Sequence, residues 1–214
     1  MNKSIPFEKH TAQYEEWFEK NRMVYAAELR AVQSLLPKGQ SGMEIGVGTG
    51  RFAAPLGIRL GVEPSKSMRS RALKKGITAL GAVAENLPFK DATFTHVLMV
   101  TTLCFLDDVN KAFREAHRVL SEGGHLIIGF VDRSSLIGQE YLQHKNNNVF
   151  YREATFYSAD EVIETMKKTG FHDFDSCQTI FGDLSEITEK EVVKTGYGQG
   201  SFIVIRGKKK GPPD

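Results

Sequence analysis

Cysteine is almost missing from this 214-residue chain: there are two, Cys104 and Cys177. They lie far apart, without the paired spacing of a zinc site. That excludes a disulfide framework, gives no argument for a metal, and points to reduced thiols in a cytoplasmic protein. Long apolar runs are missing too. The opening MNKSIPFEKH has no apolar signal-peptide core, and runs such as 126–128 are far too short to span a bilayer, so no membrane partner is expected. Charge of one sign is also lacking: 28 Lys and Arg stand against 26 Asp and Glu, a net +2. So mild a balance argues against a nucleic-acid partner. No repeat or low-complexity segment is visible.

What the chain does have is alternation. Residues 1–36 read as helical, with Tyr14, Trp17 and Phe18 at i, i+3 and i+4, and Tyr25, Leu29, Val32 and Leu36 continuing the apolar face. Pro37 and Gly39 stop it. Short strands follow at 43–47, 60–63, 77–80, 95–100 and 125–131. Helical spacing lies between them at 65–75 and 109–120, and 52–56 has room for a brief helix. Gly123 and Gly124 close the second of the longer helices. Ser158 and Glu161 form a capping box opening a further helix that Gly170 ends. Strands at 174–181 and 201–206 complete the chain, with the glycines at 196, 198 and 200 marking a loop between them. Strand–helix alternation calls for a parallel sheet covered on both faces, and the last two strands, lacking a crossover helix, for an antiparallel pair. In such sheets a ligand sits beyond the carboxyl ends of the strands, so residues just after strands matter most.

Two strand ends carry chemistry. Glu44-Ile45-Gly46-Val47-Gly48-Thr49-Gly50 follows the first strand; Gly46 and Gly48 let backbone approach a ligand, and Gly50 lets the next element pack close. The spacing is G-x-G-x-G with Arg51 next, which departs from the dinucleotide pattern G-x-G-x-x-G. Glu63 ends the second strand at the same sheet edge, where a carboxylate can accept hydrogen bonds from both hydroxyls of a ribose.

With AENLPF at 84–89, FTHVLMV at 94–100 and REAHRVLSEGGHLIIG at 114–129, the ordered set resembles the class I S-adenosylmethionine (SAM) dependent methyltransferases. It is most similar to the small-molecule branch that includes the quinone-biosynthesis enzymes. The resemblance implies a Rossmann-like α/β three-layer sandwich with a seven-stranded, mostly parallel sheet, the last strand antiparallel. It implies a helical cap or lid over residues 1–36, a SAM-binding domain over 37–207 and a basic tail at 208–214. It implies SAM as cofactor and a small-molecule methyl acceptor at N, O or C. Competing readings are a non-catalytic SAM-binding protein and a protein or RNA methyltransferase.

Residue by residue, the resemblance implies that Glu44 orients the loop and the SAM amino group, and that Gly46, Gly48 and Gly50 are the loop glycines. Glu63 would hold the ribose, with Pro64, Ser65 and Met68 flanking the adenosine. Ala84 and Glu85 would contact adenine, Thr101 would close over the methionine end, and Tyr14 would help hold the carboxylate. Val83 stands where the family usually has Asp, and Thr95 stands where it usually has the Asp of Phe-Asp. No general base is assigned; His10, His96, Asp132 and Tyr151 are the candidates. Oligomeric state is not written in the sequence.

Overall fold

The computed structural model describes residues 3–37 and 41–210. Gly39, and residues 211–214 of the expected basic tail, lie outside the described residues. Eight strands form one sheet in the order β3-β2-β1-β4-β5-β8-β6-β7. Strands β1 (Gly42–Ile45), β2 (Leu60–Val62), β3 (Thr78–Leu80), β4 (Phe94–Val100) and β5 (Leu120–Val131) are parallel. β8 (Phe202–Lys209) inserts antiparallel between β5 and β6 (Phe171–Thr179). This is the mostly parallel Rossmann-like sandwich with an antiparallel last strand, enlarged from the expected seven strands to eight. The extra strand, β7 (Lys194–Thr195), has two exposed residues and pairs with Cys177 and Gln178 at the sheet edge. Two residues leave no periodicity to read, and the segment sits beside the glycine loop.

The sheet separates two apolar layers, and successive residues of the central strands feed them alternately. Val97 and Met99 of β4 join one layer while Leu98 and Val100 join the other. β8 divides the same way: Ile203 and Ile205 face one side, Phe202 and Val204 the other. Burial on both faces explains the unbroken apolar runs of these strands. The first layer is covered by α5 (Val109–Val119) and α7 (Ala159–Lys168), through residues such as Phe113, Ala116, Val162 and Met166. Each large side chain buried there contributes about 1.5–3 kcal/mol. α7 starts at the capping box, with Ser158 and Glu161 satisfying each other's backbone N–H.

Several local readings change. Residues 52–56 form turns. β5 begins at Leu120, so Gly123 and Gly124 lie within an irregular strand beside β4, and the helix before them ends at Val119. An additional helix, α6 (Leu136–His144), is capped by Ser135; it buries only Ile137 and Gly138, too few apolar positions to mark a periodic face. At the N-terminus three helices replace one: α1 (Ile5–Lys9), α2 (Thr11–Lys20) and α3 (Arg22–Leu35), broken at His10 and Asn21. α3 packs against β6 and β8 as part of the second layer. α1 and α2 contact the loops that leave β1 and β2.

Candidate active site

The site is built from backbone at the carboxyl edge of the sheet. As β1 ends, Gly46 N and Val47 N both donate to Val62 O, at 2.8 and 3.0 Å, which ties the glycine loop to β2. Gly46 has φ +67°, and a Cβ there would lie 2.3 Å from Thr102 Oγ1. Only glycine fits, because Thr102 reaches across from the end of β4 to donate to Gly46 O. Gly50, at φ +80°, sits against Ile77, where a Cβ would come within 2.4 Å of Cδ1. Its role is close packing onto the chain between α4 (Lys66–Lys74) and β3, in place of the helix expected after the loop.

Glu63 joins the two loops. One of its oxygens accepts from Gly48 N at 3.2 Å and the other from Ser65 N at 2.8 Å. Burial pushes its carboxyl upward, and those two N–H donors oppose the shift. Ser65 caps α4 by accepting from Met68 N, and its hydroxyl donates to Glu8 of α1. Glu85 accepts from Asp107 N at 2.8 Å and Asp108 N at 3.2 Å, fixing the stretch after β4. Thr101 turns the chain there at φ +49°.

These elements surround a cavity of about 370 Å³, within the range of small-molecule sites. Of the residues singled out in the sequence, Tyr14, Gly46, Gly48, Glu63, Pro64, Met68, Ala84, Glu85 and Thr101 line it. Glu44, Gly50 and Ser65 stand outside its lining. Glu44 is buried under the loop, its carboxyl pushed well above the usual range by burial, and Oε2 has no hydrogen-bond partner among the described residues. Val83, at the position of the family's usual Asp, is 47% exposed and lines the cavity.

The candidate bases fare differently. Tyr151 lines the cavity, but burial pushes its phenol well upward and keeps it neutral. Asp132 is buried, its oxygens taken by Ser134 N and Ala159 N. His96 is buried inside β4 beside Thr95, with burial lowering its pKa. His10 sits at the α1–α2 break, outside the lining. The Cys104 thiol is pushed up to about 12 by burial, so it stays protonated.

The other half of the cavity wall is aromatic. Phe7 packs on Phe105 and Phe150, at ring centroid distances of 4.8 and 5.1 Å. Tyr151 stacks on Phe105 at 6.1 Å and leans on Tyr141 at 4.9 Å. Apart from Tyr151, these rings went unremarked in the sequence because they come from scattered segments. Glu28 was missed as well, and it had a signal: it lies three residues after Tyr25 and four before Val32, on the apolar face of α3. It is 4% exposed, lines the cavity, and burial alone raises its carboxyl to about 8.

Charge fits the expected cofactor. Glu28, Glu63, Glu85 and Asp107 line the cavity against one cation among the described residues, Lys3. Acidic walls suit a sulfonium with an ammonium, and Glu63, aimed inward and buried, suits a ribose.

Comparison with known proteins agrees. A family model described as "Methyltransferase domain" matches residues 43–128. A SAM-dependent methyltransferase from Thermotoga maritima, described as a possible histamine N-methyltransferase, has a crystal structure with TM-score 0.95 at 52% identity, covering 97% of this chain and all of that one. An uncharacterized protein of Methanocaldococcus jannaschii is 44% identical over 95% of this chain and 98% of its own length. A demethylmenaquinone methyltransferase of Thermobifida fusca is 38% identical over 71 residues, 33% of this chain and 28% of that protein. With the glycine loop and Glu63 at one sheet edge, and a full-length relative at 52% identity, the chain belongs to the class I SAM-dependent methyltransferases and is an enzyme whose methyl donor is S-adenosylmethionine.

Proposed function

We propose that this enzyme moves the SAM methyl group to an N, O or C atom of a small molecule, in the cytoplasm, and that donor and acceptor share the one cavity. Glu63, Pro64 and Met68 hold the ribose and adenosine, with Ser65 supporting Glu63 through its N–H. Ala84 and Glu85 flank the adenine, and Val83 leaves its amino group to backbone. Gly46 and Gly48 present backbone to the methionine end, Gly50 and Glu44 brace that loop from behind, and Tyr14 and Thr101 close over it. The acceptor lies among Phe7, Phe105, Tyr141, Phe150 and Tyr151.

The observation that carries this reading is continuity: the aromatic wall belongs to the same cavity as Gly46, Gly48 and Glu63. An in-line displacement at a sulfonium methyl needs mainly positioning, since the leaving thioether is good, and an aromatic wall beside the donor provides it. α1 and α2 supply Phe7, Tyr14, Trp17 and Phe18 to the lining of that pocket, which favours a small acceptor over a protein or RNA. The test is S-adenosylhomocysteine (SAH) production across a library of metabolites. At least one small molecule should be methylated; SAM binding with no turnover of any of them, and turnover of a protein or RNA instead, sinks the reading.

A further inference from the structure

We propose that the acceptor is an amine and that Glu28 receives it, the Glu28 carboxylate pairing with the acceptor's ammonium beside the rings of Tyr14, Tyr141 and Tyr151. This rests on the reading of the cavity as a shared donor and acceptor site.

Glu28 is the anomaly of the cavity. A carboxylate 4% exposed on the inner face of a helix is costly unless something answers its charge. No hydrogen bond or ion pair to Glu28 occurs among the described residues, and burial is the single cause of its raised pKa, with no cation among the described residues opposing it. The other carboxylates of the cavity are engaged: Glu63 by Gly48 and Ser65, Glu85 by the backbone N–H groups of Asp107 and Asp108. The cavity's described cation is engaged too, since Lys3 donates to Leu106 O at 2.7 Å and lies 3.8 Å from Asp107. Four phenols, those of Tyr14, Tyr25, Tyr141 and Tyr151, feel the Glu28 charge, and all four are raised and neutral. A buried acid that shares its cavity with the rings of Tyr14, Tyr141 and Tyr151 is complementary to an ammonium: the carboxylate supplies charge and the rings supply cation–π attraction.

The chemistry closes. The bound ammonium gives one proton to the Glu28 carboxylate. The freed nitrogen lone pair then forms the N–C bond as the C–S electron pair returns to sulfur. SAH and an N-methylated ammonium result, and Glu28 keeps this proton as product leaves, which restores its neutral resting form; the one proton the reaction gives up is the one Glu28 loses when the amine binds.

Calorimetry on the SAH-loaded protein tests this with phenethylamine, benzylamine and 1-aminopentane against their alcohol counterparts, in two buffers of different ionisation enthalpy. At least one amine should bind about tenfold or more tightly than its alcohol. Because Glu28 is mostly neutral before the amine arrives, about one proton should be released per amine bound. Glu28→Gln should fold, keep SAH affinity within about twofold, and lose both the preference and the proton release. Glu28→Asp, checked by circular dichroism, should retain both in weaker form. An absent amine preference, or one that survives in Glu28→Gln, overturns the proposal. SAH affinity that falls in Glu28→Gln also overturns it, assigning Glu28 to the donor's own amino group. Absent SAH binding by the unmutated protein overturns the shared-cavity reading and this proposal with it.

Discussion

The two halves proposed for the cavity, one for the donor and one for the acceptor, are built by opposite strategies. The donor half is short-range chain: a loop of glycines and a strand-end acid, held by backbone bonds such as Gly46 N and Val47 N to Val62 O. The acceptor half is long-range: Phe7, Glu28, Phe105, Tyr141 and Tyr151 come from α1, α3, a turn after β4, α6 and the loop after it. Where geometry is set by backbone, one residue type is tolerated and a substitution acts at once. Where it is set by side chains gathered from afar, substitution retunes what is bound. The donor half should therefore break sharply and the acceptor half should shift.

The largest effect is expected at Gly46. Gly46→Ala places a methyl 2.3 Å from Thr102 Oγ1 in a left-handed conformation, so either the loop or the end of β4 must move. Strain of this kind costs about 1–3 kcal/mol of stability, and SAM binding should be lost because the backbone that approaches it has moved. Thermal melting and calorimetry read both. A variant that binds SAM normally would mean that the loop adapts as freely as the acceptor half.

Next comes Glu63→Ala. Loss of hydrogen bonds to a charged group predicts SAM binding weaker by about 1.5–3 kcal/mol, with folding little changed at a strand end. Gly48 N loses a partner as well, so part of the effect acts through the loop. Unchanged SAM affinity in a folded variant would make Glu63 a brace between two loops rather than a ligand to ribose.

This difference also decides what the sequence could say. The donor half follows contiguous segments whose residue types are dictated by local backbone, so Gly46, Gly48, Glu63 and Met68 were legible as a set. The parallel sheet with its antiparallel final pair followed from alternation, and strands buried on both faces write continuous apolar runs. Glu44 was legible as an acid at the strand end but not as one buried behind the cavity wall, since its depth depends on β2 and β4 flanking it, where it pairs with Gly61 and Leu98. β7 and α6 were illegible for want of periodicity. Glu28 stood in plain view as a charge on an apolar face. Its meaning depends on no cation among the described residues answering it, which only tertiary structure reveals.

A third effect separates the halves by pH. Burial raises Glu28 from an ordinary 4.5 to about 8, so the folded protein keeps a proton that the unfolded chain gives up. Below about pH 4.5 both states hold it and no stability is lost. Between there and about pH 8, stability falls with rising pH by up to about 1.4 kcal/mol per unit from this group. Glu44, raised in the same direction, adds to the slope. Glu28→Gln should flatten the decline of ligand-free melting temperature between pH 5 and 8, whereas Glu63→Ala should flatten it less. Equal slopes in Glu28→Gln and the unmutated protein would mean that Glu28 ionises freely on a surface.

The smallest effect concerns what holds the halves together. Beside the aromatic stripe of α2, Glu15 turns toward the protein. Arg51 donates to it at 2.8 and 3.2 Å and to Glu19 at 2.9 Å, Thr49 Oγ1 donates to it, and Lys75 lies 3.7 Å away. Burial works against the Glu15 charge, and Arg51 and Thr49 outweigh it, holding its carboxyl below the usual range. Arg51 also lies over the Phe18 ring at 5.1 Å. The residue that breaks the dinucleotide pattern thus latches α2 to the glycine loop and keeps Tyr14 over Gly48. We expect residues 1–22 to act as a lid that opens to release SAH, so the latch should be weak by design: Arg51→Ala should cost about 1 kcal/mol, the scale of a partly exposed ion pair. Its signature is local. Amide exchange should quicken across α1 and α2, and SAH should slow it again, with Trp17 fluorescence moving in step. The exchange of β4 and β5 should stay unchanged. If exchange quickens equally in the sheet, Arg51 supports the whole domain, and the lid is a fixed part of it.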